Sequence, residues 1–275
     1  MKSAKLEIRI PVNPTNPGQF LACCGLLELA DQLWQGAEGW FEKEGTEFCI
    51  SHQDKDISLF ELLVGAKNIQ LQITEDKDND ETEEDSELDI QSIQIVSPMN
   101  LVLDWWSDKS LKTWAGSMNA TKIFLAMCKA IEPNNKDPLN QAGVVYDADQ
   151  KSTKKQKARE PFYLDARRGA NAWSLDVGFS TDAIKTSQNL STVAYPVVES
   201  MALVGLQRAR PISTDKIRTF DYYIWSIPLS VTVIPIAVSG HINDQTRFRF
   251  ENSFRTTQKK HKAFNPALVL PKGGQ

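Results

Sequence analysis

Three histidines, His52, His241 and His261, are the only imidazoles in the chain. None has a partner at metal-ligand spacing, and no H-E-x-x-H occurs, so His52 and His241 read as structural or solvated side chains. His261 differs in its setting, flanked by Lys259, Lys260 and Lys262. A histidine there fits a general acid or base, with lysines stabilising a charged transition state. Asp147 and Asp149 form a D-x-D pair that suits Mg²⁺ in principle and a turn or cap more commonly. Neither a G-x-x-x-x-G-K-[ST] loop, a G-x-G-x-x-G turn nor a G-x-S-x-G elbow is present. No cofactor or metal is therefore expected, and nothing compels an enzyme.

Basic residues carry a stronger signal. Lys151, Lys154, Lys155, Lys157 and Arg159 crowd one short segment, and Arg167 and Arg168 follow closely. In Arg247-Phe248-Arg249-Phe250, strand alternation puts both arginines on one face and both phenylalanines on the other. The phenylalanines then pack inward and leave a cationic ridge outside. Arg255, Lys259, Lys260 and Lys262 extend the positive character. Such a surface suits phosphate neutralisation without sequence readout. Trp105, Trp106 and Trp114 fit a base-stacking platform or, more commonly for large aromatics, the core or an interface.

The elements that must position these residues are legible in outline. Leu6, Ile8 and Ile10 alternate as a strand; Asn16-Pro17 then starts an apolar helix reaching about Trp34. Short strands follow around the Glu44-Gly45 turn, then a helix near Ser58–Leu63 and alternation at Ile69, Leu71 and Ile73. Glu75–Asp89 holds ten acidic residues and one lysine, and reads as a flexible acidic insertion at about 75–90 between two strands. Helices are expected at about Asn119–Ile131 and Pro196–Gln207, and strands at Leu101–Trp106, Phe220–Trp225 and Thr246–Phe250. The order predicts an α+β fold with a mixed or antiparallel sheet and packed helices. It fits a single domain over 1–275 with a sub-boundary near 133–160.

Composition is that of an ordinary globular protein, at 41% hydrophobic and 24% charged residues. Cys23, Cys24, Cys49 and Cys128 form no C-x-x-C pair, the start lacks an apolar signal core, and no membrane-length apolar run occurs. A reduced cytoplasmic chain is expected. The net charge of −4 hides an asymmetry. Residues 1–100 carry seven Lys and Arg against twenty Asp and Glu, while 101–275 carry twenty-four against fifteen. The second part is the better candidate for a polyanion-binding surface.

Several segments together carry a resemblance. Ile10-Pro11-Val12-Asn13-Pro14-Thr15-Asn16-Pro17-Gly18-Gln19-Phe20 through Ala30 is similar to the start of small accessory Cas proteins of type I-G (formerly I-U) CRISPR modules, the third Csb-type family. Leu103-Asp104-Trp105-Trp106, Phe162-Tyr163-Leu164-Asp165-Ala166-Arg167-Arg168, Gly205-Leu206-Gln207-Arg208 and Phe220-Asp221-Tyr222-Tyr223 extend the similarity. The resemblance implies an antiviral-defence protein that is part of, or accessory to, a complex carrying CRISPR RNA. It also implies RAMP-like (ferredoxin-like) elements, although the glycine-rich loop common near the carboxyl end of such folds is represented only by Lys272-Gly273-Gly274. Three functions follow as expectations. The first is a non-catalytic subunit that binds CRISPR RNA or DNA backbone or scaffolds other Cas subunits. The second is a metal-independent RNA-processing endonuclease using His261, and the third a purely protein–protein docking subunit.

Overall fold

The computed structural model describes residues 7–72, 92–115, 118–147, 158–168, 177–179, 190–255 and 261–271. Lys151, Lys154, Lys155, Lys157, Lys259, Lys260, Asp149 and the acidic stretch lie outside the described residues.

Helices packed on antiparallel sheets give the expected α+β class. Strand β1 (Ile8–Pro11) turns Ile8 and Ile10 inward and Arg9 outward. The Asn16 side chain then accepts hydrogen bonds from the Gly18 and Gln19 amides, and with Pro17 at the first position it starts helix α1 (Pro17–Leu33). Every residue of α1 from Pro17 to Ala30 is buried, as its all-round apolar run requires. Helix α4 (Pro196–Gly205) packs against it through Gly25 and Gly205. A Cβ at either glycine would collide with a backbone carbonyl, of Met201 or Leu21 respectively, so the two backbones touch.

Strands β2 (Glu38–Glu42) and β3 (Glu47–Ser51) form a hairpin through Lys43, Glu44 and Gly45, all with positive φ. Antiparallel pairing gives the order β1-β3-β2-β11, with β11 at Leu229–Ser230. The β1-α1-β2-β3 unit has the strand order of a ferredoxin-like half, but the fourth strand joins the outer edge of β2 rather than β1. Helix α2 (Leu59–Lys67), capped by Ser58, leads into β4 (Gln70–Leu71). That strand pairs with β5 (Ile93–Ser97), which pairs with β6 (Leu101–Leu103). The strands on either side of the acidic stretch are therefore hydrogen-bonded to each other.

Helix α3 (Ala120–Lys129) is capped by Asn119, and the short strands β7 (Val177–Phe179) and β8 (Leu190–Thr192) pair together. The second large sheet uses β9 (Ile212–Ser213), β10 (Thr219–Ile224), β12 (Thr246–Phe254) and β13 (Lys262–Phe264) in the order β13-β12-β10-β9. Strand β14 (Leu268–Leu270) also pairs with β12, and helix α5 (Ile234–Val238) packs nearby. One hydrophobic cluster runs from Ile8 to Ala267. Trp105, Trp106 and Trp114 belong to it, meeting edge to face at centroid separations of 5.5–5.7 Å, and the Trp105 indole donates to the Leu203 carbonyl. The tryptophans are core anchors, with no ring face free for a base.

Candidate nucleic-acid interface

Strand β12 places the basic residues of the second sheet. Phe248 and Phe250 point inward and pack on Tyr222, while Arg247 and Arg249 occupy the outer face. Across the ladder, Asp221 of β10 sits between them. Arg247 Nε donates to Asp221 at 3.0 Å, and Arg249 donates through Nε at 2.7 Å and Nη2 at 2.9 Å. Burial raises the Asp221 carboxyl pKa, but hydrogen bonds from Arg249 and Arg247 and their charges bring it below the ordinary aspartate range. The outward ridge exists, and half of its charge is offset within the fold.

Arg159 and Arg167 are likewise committed internally. Arg159 holds both oxygens of Asp147, at 2.5 and 2.6 Å, so this carboxylate serves an ion pair. Arg167 forks onto Asp165, donates to Asn140 and the Leu139 carbonyl, and lies 3.4 Å above the Tyr195 ring. Asp165 is itself buried, accepts from Asn16 and lies beside the buried Glu199, whose oxygens accept from the Leu164 and Asp165 amides. Burial, then the Asp165 charge, pushes the Glu199 carboxyl up to about 7. Arg168 is buried too. This polar knot fastens the start of α1 to the 162–168 segment; its arginines serve the fold.

The other end of β12 is different. Asn252 donates from its side chain to the Ser110 carbonyl, which draws the 109–114 segment onto the end of the sheet. The Lys262 amide donates to the Thr113 carbonyl, and its ammonium reaches the carbonyls of Lys109 at 3.0 Å and Ser110 at 3.3 Å. Arg218, in the β9–β10 turn, donates nothing from its buried Nε to any described residue, and its guanidinium lies 4.7 Å from the Phe254 ring centre. Lys112 stands 5.3 Å over Trp114, and Arg255 stacks at 3.2 Å on Tyr163. The cations feel one another. Burial, then Arg218 and Lys112, lower the Lys262 pKa against an opposing pull from Asp108, while burial and then Lys109 lower that of Lys112. A cleft of about 360 Å³ opens here, lined by Ser110, Thr214, Asp215, Lys216, Arg218 and Lys262 among others.

Of the residues expected from sequence, Arg255 and Lys262 thus reach this cationic end, and Arg247 and Arg249 lie further along the same strand. His261 also lies here; its carbonyl accepts from the Arg255 amide, and no described residue hydrogen-bonds its ring. His52 is structural: its ring bonds the Gln35 carbonyl and the Asp54 and Lys55 amides. Lys109, Lys112, Lys216 and Arg218 were not legible as a site. Their one local sign is a pair of similar turns, Ser107-Asp108-Lys109 and Thr214-Asp215-Lys216, each of which ends in a lysine.

Among the described residues the one carboxylate and cysteine group at metal-ligand distance is Glu42, Glu47 and Cys49. Arg9 already donates to both glutamates, so that cluster is an ion-pair network. No model of a known protein family, no curated protein and no solved structure matches this chain. No helix among the described residues is long and apolar enough to cross a membrane.

Proposed function

We propose that this protein is a non-catalytic nucleic-acid-binding subunit or accessory protein of a type I-G CRISPR effector, gripping CRISPR RNA or target DNA by the phosphates. The observation that carries the reading is the convergence of Lys109, Lys112, Arg218 and Lys262 at one end of the second sheet, where burial first and the neighbouring cations second lower the Lys112 and Lys262 pKa values. Holding several ammonium and guanidinium groups together costs free energy that a phosphate backbone would recover by displacing counterions. The sequence resemblance supplies the assembly in which such a contact belongs. The cytoplasm is the matching compartment.

An electrophoretic mobility shift with CRISPR RNA and with single- and double-stranded DNA tests this. A shift at low salt that fades at moderate salt, with the strands intact, is the expected result. The logarithm of affinity should fall with log salt at about 0.7 per neutralised phosphate for single strands. Cleaved strands under chelator, lost in His261→Ala, would replace this reading with the nuclease. Absence of any shift would replace it with docking onto other Cas subunits, read by co-purification.

A further inference from the structure

The cleft between the 109–112 segment, the β9–β10 turn and β13 has features that a merely basic surface lacks. Arg218 adopts a left-handed backbone at φ 58° although it is not glycine, a conformation unfavourable to a residue with a side chain. The turn is nevertheless held firmly. The Thr214 amide donates to the Thr219 carbonyl, the Thr219 amide to that of Lys216, and the Asn252 amide to that of Arg218 itself. Arg218, whose Nε is buried away from solvent without a described partner, lines the same cleft that Lys262 enters with two of its three N–H donors satisfied. The third Lys262 N–H and the terminal nitrogens of Arg218, which donate to no described residue, are left to meet an acceptor there.

We infer that this cleft seats one nucleotide of a single strand, its phosphate bound by Arg218 and Lys262 with the Ser110 and Thr214 hydroxyls alongside. The inference rests on the nucleic-acid reading above and narrows it to a strand class. The cleft volume of about 360 Å³ lies at the small end of the ~300–1,000 Å³ range of ligand pockets, which fits one nucleotide and no duplex groove. A single strand can turn one residue out of its stack; a duplex backbone passes over such a cleft. Ile217, 81% exposed at the cleft edge, offers apolar surface for a base or sugar. Asp215 at the rim opposes the anion and limits affinity.

Fluorescence anisotropy with labelled ten-nucleotide RNA, the same length of single-stranded DNA, and a duplex tests the assignment, with adenosine monophosphate and inorganic phosphate as competitors. The expected result is a preference for single strands and competition by adenosine monophosphate. Arg218→Gln and Lys262→Met should each weaken single-strand binding about tenfold. Asp215→Asn, an exposed turn position with little bearing on folding, should tighten it a few-fold. Lys122→Met, on an exposed face of α3, is the charge-matched control and should change it less than twofold. Single-strand binding that Arg218→Gln, Lys262→Met and Asp215→Asn leave at the level of Lys122→Met overturns the cleft and spares the proposed function. Equal affinity for duplex and single strand also overturns the cleft. Failure to bind any strand overturns the proposed function, and titration calorimetry with adenosine monophosphate then decides the cleft by itself.

Discussion

The two ends of strand β12 carry the same kind of residue to opposite effect. At the Thr246 end, Arg247 and Arg249 share the carboxylate of Asp221, so two cations and an acid leave one net charge. At the Phe254 end, Lys262, Arg218 and Lys112 face mainly one another and backbone carbonyls. Counting lysines and arginines along a sequence does not separate these cases. What separates them is the residue across the ladder. Asp221 is placed opposite Arg249 by register, whereas Lys262 meets a chain segment about 150 residues earlier whose carbonyls accept from it and whose nearest acid, Asp108, acts only through its charge.

The largest test of that contrast is Asp221→Asn. Removing a carboxylate that accepts several charged hydrogen bonds should lower stability by about 2–3 kcal/mol in urea unfolding. It should also tighten polyanion binding several-fold, because the Thr246 end then resembles its opposite; unchanged binding would mean that this end does not face the strand. Next in size, Lys112→Glu places an acid at the uncompensated end and should weaken binding about tenfold, near 1.4 kcal/mol, with little change in melting temperature.

The pH dependences of the two ends share a sign but fall in separate windows, one acid and one alkaline. Asp221 is held below the ordinary aspartate pKa, so its stabilisation is present above that value and is lost as pH falls through the depressed one. Lys262 is held below the ordinary lysine pKa, so the unfolded chain keeps its proton longer. Stability should rise slightly with pH on the alkaline side while binding falls there. Urea titrations from acid to alkaline pH read the first, and anisotropy reads the second. Glu199 supplies a reference in the shared scaffold. Its carboxyl is raised to about 7, so the folded state holds the proton that the unfolded chain releases, and stability should decline as pH rises from the ordinary glutamate value to about 7. Glu199→Gln should flatten that window and leave the acid limb of Asp221 untouched. The smallest effect belongs to Arg249→Ala. Arg247 still holds Asp221, so binding should shift less than twofold and stability by about 1 kcal/mol.

Much of the scaffold was legible because its signals are local. Asn16-Pro17, Ser58 and Asn119 mark helix starts, and each side chain does cap the first amides. The alternation at Thr246–Phe250 identified β12, although the strand continues to Phe254, where Asn252 still turns its side chain inward to the 110–112 carbonyls. Leu101–Trp106 shortened to β6 because the indoles of Trp105 and Trp106 are drawn into the core by a 3₁₀ turn. Helix α5, at five residues with a proline inside it, is too short to show a period. The site was less legible than the fold. Arg167 reads as a phosphate ligand in the sequence, but Asp165 and Tyr195 surround it in the fold, and Arg218 and Lys262 become neighbours only through the pairing of β12 with β10 and β13.

The fastening of Asn16 to Asp165 also fixes the order in which the chain can become native. The first helix leaves the ribosome early, yet its cap is completed by a residue 149 positions later, Glu28 waits 180 positions for Arg208, and Pro14 waits 208 for Tyr222. A nascent chain that stops short of Asp165 can lay α1 on β2, β3 and α2, but it lacks α4, whose backbone touches that of α1, so this face of an apolar helix stays open. Productive folding is therefore delayed until the second half has been synthesised, and during that interval the open face is the surface that a chaperone or an aggregating neighbour would meet first.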